Sequence, residues 1–172
     1  MTIPFGTGTT LGLEQIGQEP GTSFAGVSVG LGSQPCTYSG QDAILEAVLE
    51  AGGDEVARRP YKPSLLIINS VRLTATSGSF DFLTDASFSL RVSSQAESVD
   101  VPFTGAIVEN TGNTVTLEYP PFFATQFDVL LLSAPADCVR GILTLSGTAP
   151  AQAVVFDTAV DCTFYANLIR SY

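Results

Sequence analysis

Val160-Asp161-Cys162-Thr163-Phe164-Tyr165-Ala166-Asn167-Leu168 alternates with period two: Val160, Cys162, Phe164, Ala166 and Leu168 take one side, Asp161, Thr163, Tyr165 and Asn167 the other. That is the pattern of a β-strand with one face on a core. The same period recurs upstream. Phe88, Leu90 and Val92 alternate with Ser87, Ser89 and Arg91; Val115, Leu117 and Tyr119 alternate with Thr116 and Glu118. Strands are expected over 24–31, 64–75, 86–93, 99–108, 114–119, 127–132, 139–146, 151–156 and 160–169. Ser77-Gly78, Asn110-Thr111-Gly112-Asn113 and Pro120-Pro121 supply turn chemistry between them. Pro102 cannot donate to a ladder, so the 99–108 strand belongs at an edge or a bulge. Short strands separated by Gly/Pro turns read as an all-β protein: an antiparallel immunoglobulin-like or jelly-roll β-sandwich.

At 172 residues the chain has the length of one domain. Charged residues make up 14%, and 17 acids against 7 bases give a net charge of −10. There is no His, so His triads, His metal sites and a His general base are excluded. Nucleic-acid binding is not expected, because phosphate neutralisation needs a basic face. No apolar run approaches the roughly 18 residues of a membrane helix, and no signal-peptide pattern opens the chain. Virion or cell-surface localisation after cytoplasmic synthesis is the corresponding expectation.

The N-terminal third differs from the rest. Eight of the 16 glycines lie in the first 32 residues, and the first 57 residues carry seven acids and no base. Residues 1–22 therefore read as an extended Gly/Thr arm preceding a sandwich domain over 23–172. Within the domain a helix is expected over about 41–51, with Ser39 capping, Ile44, Leu45, Val48 and Leu49 forming an apolar stripe, and Gly52-Gly53 ending it. Its Asp42, Glu46 and Glu50 read as a solvated face.

Chemistry-bearing motifs are sparse. Lys62, the one lysine, stands between Tyr61 and Pro63 on an expected loop, a poor setting for a desolvated Ser–Lys dyad. Gly6-Thr7-Gly8 lacks the third glycine of a dinucleotide fingerprint. Asp157 and Asp161 share parity, and Asp81 and Asp85 bracket an apolar corner; either pair could serve a carboxylate-only hydrolase, but both read first as turn or strand-end residues. Asp81 and Asp85, with Thr84, are also the calcium candidates, and Glu109, Asn110 and Asn113 a lesser set; neither run matches a calcium loop. No cofactor is expected. Cys36, Cys138 and Cys162 read as small buried hydrophobes, with a Cys138–Cys162 bridge as the alternative.

Ser70-Val71-Arg72-Leu73-Thr74-Ala75, Gly78-Ser79-Phe80-Asp81-Phe82-Leu83 and the alternating run from Val160 to Leu168 together resemble uncharacterised bacterial β-sandwich proteins, often exported. The resemblance covers about half the chain, implies an immunoglobulin-like sandwich and implies no activity.

The functional expectation is a non-enzymatic structural subunit of a large assembly: a virion shell, decoration or tail component, or a surface filament. Its partners are protein subunits, including copies of itself. Ile3, Phe5, Leu11 and Leu13 on the arm, and Phe122-Phe123 after Pro120-Pro121, are the expected contact residues. The alternative is an exported binding module for polysaccharide, lipid or protein.

Overall fold

The structure, a computed structural model, describes residues 2–32, 36, 50, 61–93, 98–103, 106–118 and 138–168. Among the described residues the strands are β1 (Thr2–Leu11), β2 (Ser23–Gly30), β3 (Tyr61–Ser77), β4 (Leu83–Ser93), β5 (Ser98–Phe103), β6 (Ala106–Asn110), β7 (Thr114–Glu118), β8 (Cys138–Thr148) and β9 (Val154–Leu168), and α1 (Leu13–Ile16) is a helical turn. They form a five-stranded sheet in the order β1-β9-β3-β7-β6 and a four-stranded sheet in the order β2-β8-β4-β5. Every pairing is antiparallel.

The pairings nest. The first strand pairs with the last, β1 with β9; β2 pairs with β8; β3 with the β6–β7 hairpin through β7; and β4 with β5. Closing contacts β9·β3 and β8·β4 then complete the two sheets. The chain thus runs as one long double-stranded ribbon whose two arms are rolled so that successive rungs fall in alternate sheets.

One apolar core lies between the sheets, because the alternating residues of both face it. Val154, Phe156, Val160 and Cys162 of β9 and Leu73 of β3 meet Phe88 and Leu90 of β4 and Leu143 and Leu145 of β8. Phe5 of β1 stands edge-on to Phe88 of β4, centroids 5.8 Å apart, tying one sheet to the other. Gly141 makes room for this pair: a Cβ there would come within 2.6 Å of Leu31 Cδ1 and 3.1 Å of both rings. Buried leucine, isoleucine and phenylalanine side chains each stabilise by about 1.5–3 kcal/mol.

Several expectations are corrected by this packing. Residues 2–11 do not stand off the sandwich; they form β1 on the edge of their own sheet, hydrogen-bonded to β9. The boundary expected near residue 22 therefore separates nothing structural: β1 and α1 contribute Ile3, Phe5, Leu11 and Ile16 to the common core. The 99–108 strand is two strands in different sheets, β5 and β6. Conversely, the two strands expected over 151–169 are one, β9. In β2 a register slip between Phe24 and Val27, where Gly26 takes φ +67°, accompanies the burial of both Phe24 and Val29, which are five residues apart. In β3 a slip between Ile68 and Ser70 places Ile68 on the inward set with Val71 and Leu73. The helix expected over 41–51 and the 127–132 strand fall outside the described residues, Glu50 excepted.

Candidate functional site

The arm residues singled out as contacts are mostly core residues. Ile3 and Leu11 are 1% and 0% exposed and Phe5 is buried against Phe88. Leu13 is the exception, on the surface at the start of α1. That turn is held locally: the Gln15 side-chain oxygen accepts the Gly12 N–H at 2.8 Å, and Gly17, at φ +68°, donates to the Leu13 carbonyl at 2.7 Å. Phe122 and Phe123 lie outside the described residues.

The Asp81 corner is a structural clamp. Ser79 donates its hydroxyl to the Asp81 carboxylate, and the Asp81 N–H returns to Ser79 Oγ at 3.1 Å. The carboxylate sits above the β6–β7 turn, where a Cβ on Gly112 would come within 2.7 Å of it. The Phe80 N–H donates to the Gly112 carbonyl, Asn110 Nδ2 donates to the Phe80 carbonyl at 3.0 Å, and the Gly112 N–H donates to Asn110 Oδ1 at 2.9 Å. Asp81 thus braces its own turn through Ser79, while Asn110 and the Phe80 backbone join that turn to the β6–β7 turn. Asp85 is exposed at a β4 slip, opposite Ser146. Among the described residues no three carboxylates or thiols converge on a point that could hold a metal.

Asp157 and Asp161 both lie on the outward face of β9. Asp157 accepts the Gly8 N–H at 2.8 Å, fastening β1 where its register slips. Asp161 is reached by Asn69 Nδ2 at 3.5 Å, and the same nitrogen donates to Thr163 Oγ1 at 3.0 Å. Four residues along a strand span about 13 Å, too far for the roughly 5–9.5 Å of paired glycosidase carboxylates. Lys62 lies in β3 opposite Asn167, not on a loop.

The cysteines are redistributed. Cys36 and Cys138 form a disulfide, Cα atoms 5.4 Å apart, closing a span of 102 residues. This replaces both the three-thiol expectation and the Cys138–Cys162 alternative. Cys162 keeps its thiol inside the core, and burial pushes its pKa up to about 11. A thiol held protonated in this way is a poor nucleophile.

One cluster was missed entirely, on the outer face of the four-stranded sheet. Arg140 of β8 stands directly across from Arg91 of β4. The Arg140 guanidinium lies against Gly30 of β2, occupying the space a Cβ there would need. Its Nε is buried and meets no hydrogen-bond acceptor among the described residues. Ile142, next on the outward side of β8, is also buried, at 7% exposure. Composition points to these residues only through the scarcity of bases; their meeting depends on strand neighbours far apart in sequence.

No family model matches the chain, and neither a curated protein nor a solved structure matches it. No helix among the described residues is long and apolar enough to cross a membrane.

Proposed function

We propose that this chain is a jelly-roll structural subunit of a large protein assembly, a virion shell or surface component built from copies of itself and related subunits. The carrying observation is the nested pairing, β1 with β9, β2 with β8, β3 with the β6–β7 hairpin and β4 with β5. Counting that hairpin as one position, the pattern has the eight positions of a jelly roll. It departs from the immunoglobulin order, in which ABED faces CFG. Jelly rolls serve as capsid building blocks, as lectins and as cupins. This is reasoning from fold, and it is the composition that selects among the three. A His-ligated cupin centre cannot be built from a chain without histidine, and a lectin lacking tryptophan has lost its best stacking platform. The Cys36–Cys138 disulfide supports a working location outside the reducing cytosol, as for a virion or cell surface.

The contact surface differs from that read in the sequence. Ile3, Phe5 and Leu11 serve the subunit's own core, which among the described residues leaves Leu13, the exposed Val108, the sheet edges and the outer sheet faces as contacts. The test is solution mass by light scattering across protein concentration, with electron microscopy of the heaviest fraction. Closed shells, rings or filaments of uniform subunit number are expected. A monomer at every concentration that instead binds an oligosaccharide on a glycan array would replace this reading with the binding-module one.

A further inference from the structure

We propose that the Cys36–Cys138 bridge is a redox latch: the chain folds with both thiols reduced, and a small-molecule disulfide then closes the bond on the finished sandwich. The inference goes beyond the assembly reading and does not rest on it.

The fold brings the two cysteines together without help from the bond. The β2–β8 ladder runs from Ser23 opposite Thr148 to Gly30 opposite Ile142. The Leu31 N–H then donates to the Gly141 carbonyl at 2.9 Å. Cys36 follows Leu31 in the chain and Cys138 precedes Gly141, so the bridge extends the same antiparallel pair. Both sides are anchored. Leu31 is buried in the core, and the Gly32 N–H donates to Thr9 Oγ1 of β1 at 2.9 Å. Cys138 opens β8, where it stands opposite Ser93 of β4.

The core is complete without either half-cystine. Both are half-buried, and the apolar cluster between the sheets contains Cys162 but neither of them. Burial of that cluster drives folding whatever the redox state. The bond itself forms on different terms in the two states of the chain. Unfolded, it has to close a span of 102 residues. With the β2–β8 pair in place, the ring left to close runs only through residues 31–36 and 138–141, and a shorter ring loses less entropy on closing.

The exchange has one product. One cysteine thiolate attacks a sulfur of the small disulfide, forming a mixed disulfide and expelling one small thiolate. The second cysteine thiolate attacks the protein sulfur of that mixed disulfide, forming the Sγ–Sγ bond and expelling the other. The two cysteines lose two protons and two electrons, and the disulfide takes them to become two thiols. A dithiol reverses the exchange. Cys36 and Cys138, half-buried, are within reach of such reagents. Cys162 does not compete, because it is enclosed in the core and its thiol stays protonated at neutral pH.

The test reduces the full chain with dithiothreitol and follows its unfolding in urea. The chain is then equilibrated in glutathione buffers of graded thiol and disulfide content, both in water and in urea above the transition. Closure is read by alkylation and intact mass, and the bridge is located by peptide mapping. The reduced chain is expected to unfold cooperatively, at a lower urea midpoint than the oxidised chain. Reoxidation should give Cys36–Cys138 alone. The equilibrium constant for closure should be about a hundredfold or more larger in the folded chain than in the unfolded one. Cys36→Ser and Cys138→Ser should each share the midpoint of the reduced chain and ignore the redox buffer. Loss of the cooperative transition in the reduced chain and in both variants would overturn the latch and make the bridge a condition of folding. A bridge that includes Cys162, or one that closes equally well in urea, would overturn it too.

Discussion

β1 and β9 lie side by side in one sheet, yet only one of them announces itself in the sequence. β9 carries an apolar residue at almost every inward position: Val154, Phe156, Val160 and Cys162. β1 has an inward set of the same parity, Ile3, Phe5, Thr9 and Leu11, but a polar member and two register slips dilute it. Gly6 and Gly8 sit at those slips, Gly8 at φ +62°. Gly6 lies so close to the backbone of Leu31 and Gly32 that a Cβ would come within 2.8 Å of Gly32 N. Glycine here is a packing residue as well as a flexible one. The lesson is that a glycine-rich stretch spaced around a sparse apolar set can be a strand of the core, not an arm.

If β1 is a full partner of β9, damage to either should cost alike. The largest effect is expected from removing residues 1–22, which strips Ile3, Phe5, Leu11 and Ile16 from the core. The shortened chain should fail to unfold cooperatively in urea. A folded monomer with an ordinary transition would restore the arm. Next, Phe5→Ala in β1 and Phe156→Ala in β9 should each cost about 3–5 kcal/mol, measured by denaturant titration. A Phe5→Ala cost below about 0.5 kcal/mol would separate the two strands again, since surface substitutions fall within that range.

The disulfide acts outside the β1–β9 pair and sharpens the comparison by contrast. Reducing it, or replacing Cys36 with Ser, removes the closure of a 102-residue span, expected to cost about 3–5 kcal/mol. Cys162 should stay unreactive toward alkylating reagents in the folded chain at neutral pH and become reactive on unfolding. Its raised pKa also gives a pH dependence. Stability contributed by the neutral buried thiol is complete below the ordinary value of 9.0 and is lost as pH climbs toward about 11, where the folded thiol ionises. A Cys162→Ala variant should lose that alkaline slope in thermal melts. The smallest effect is expected at Leu13, where Leu13→Ser on the surface should change stability by no more than about 0.5 kcal/mol.

The all-β class, the β6–β7 hairpin, the inward faces of β4 and β7 and the inward Val160 and Cys162 of β9 were legible because the period is unbroken there and the turns carry Gly, Asn or Pro. The split of 99–108 between sheets was not, since alternation says nothing about which sheet a strand joins. Nor was the unity of β9. Asp157 and Thr158 interrupt its apolar run, although Asp157 is fastening β1 through Gly8 and Thr158 points into the core. The acids read as weak calcium candidates resolve into a turn clamp at Asp81 and an exposed slip at Asp85, matching the turn and strand-end alternative already visible in their setting. The Arg140–Arg91–Gly30 cluster could not be read at all. Its members lie on three strands, and only the nested pairing brings them together.

Backbone amide exchange on the monomeric fraction tests the nested pairing most directly. The β1 amides pointing at β9 are expected to exchange as slowly as their β9 partners around Val160, because they close one sheet of one chain. Rapid exchange throughout residues 2–11, beside a protected β9, would contradict it and return those residues to the role of an unattached arm.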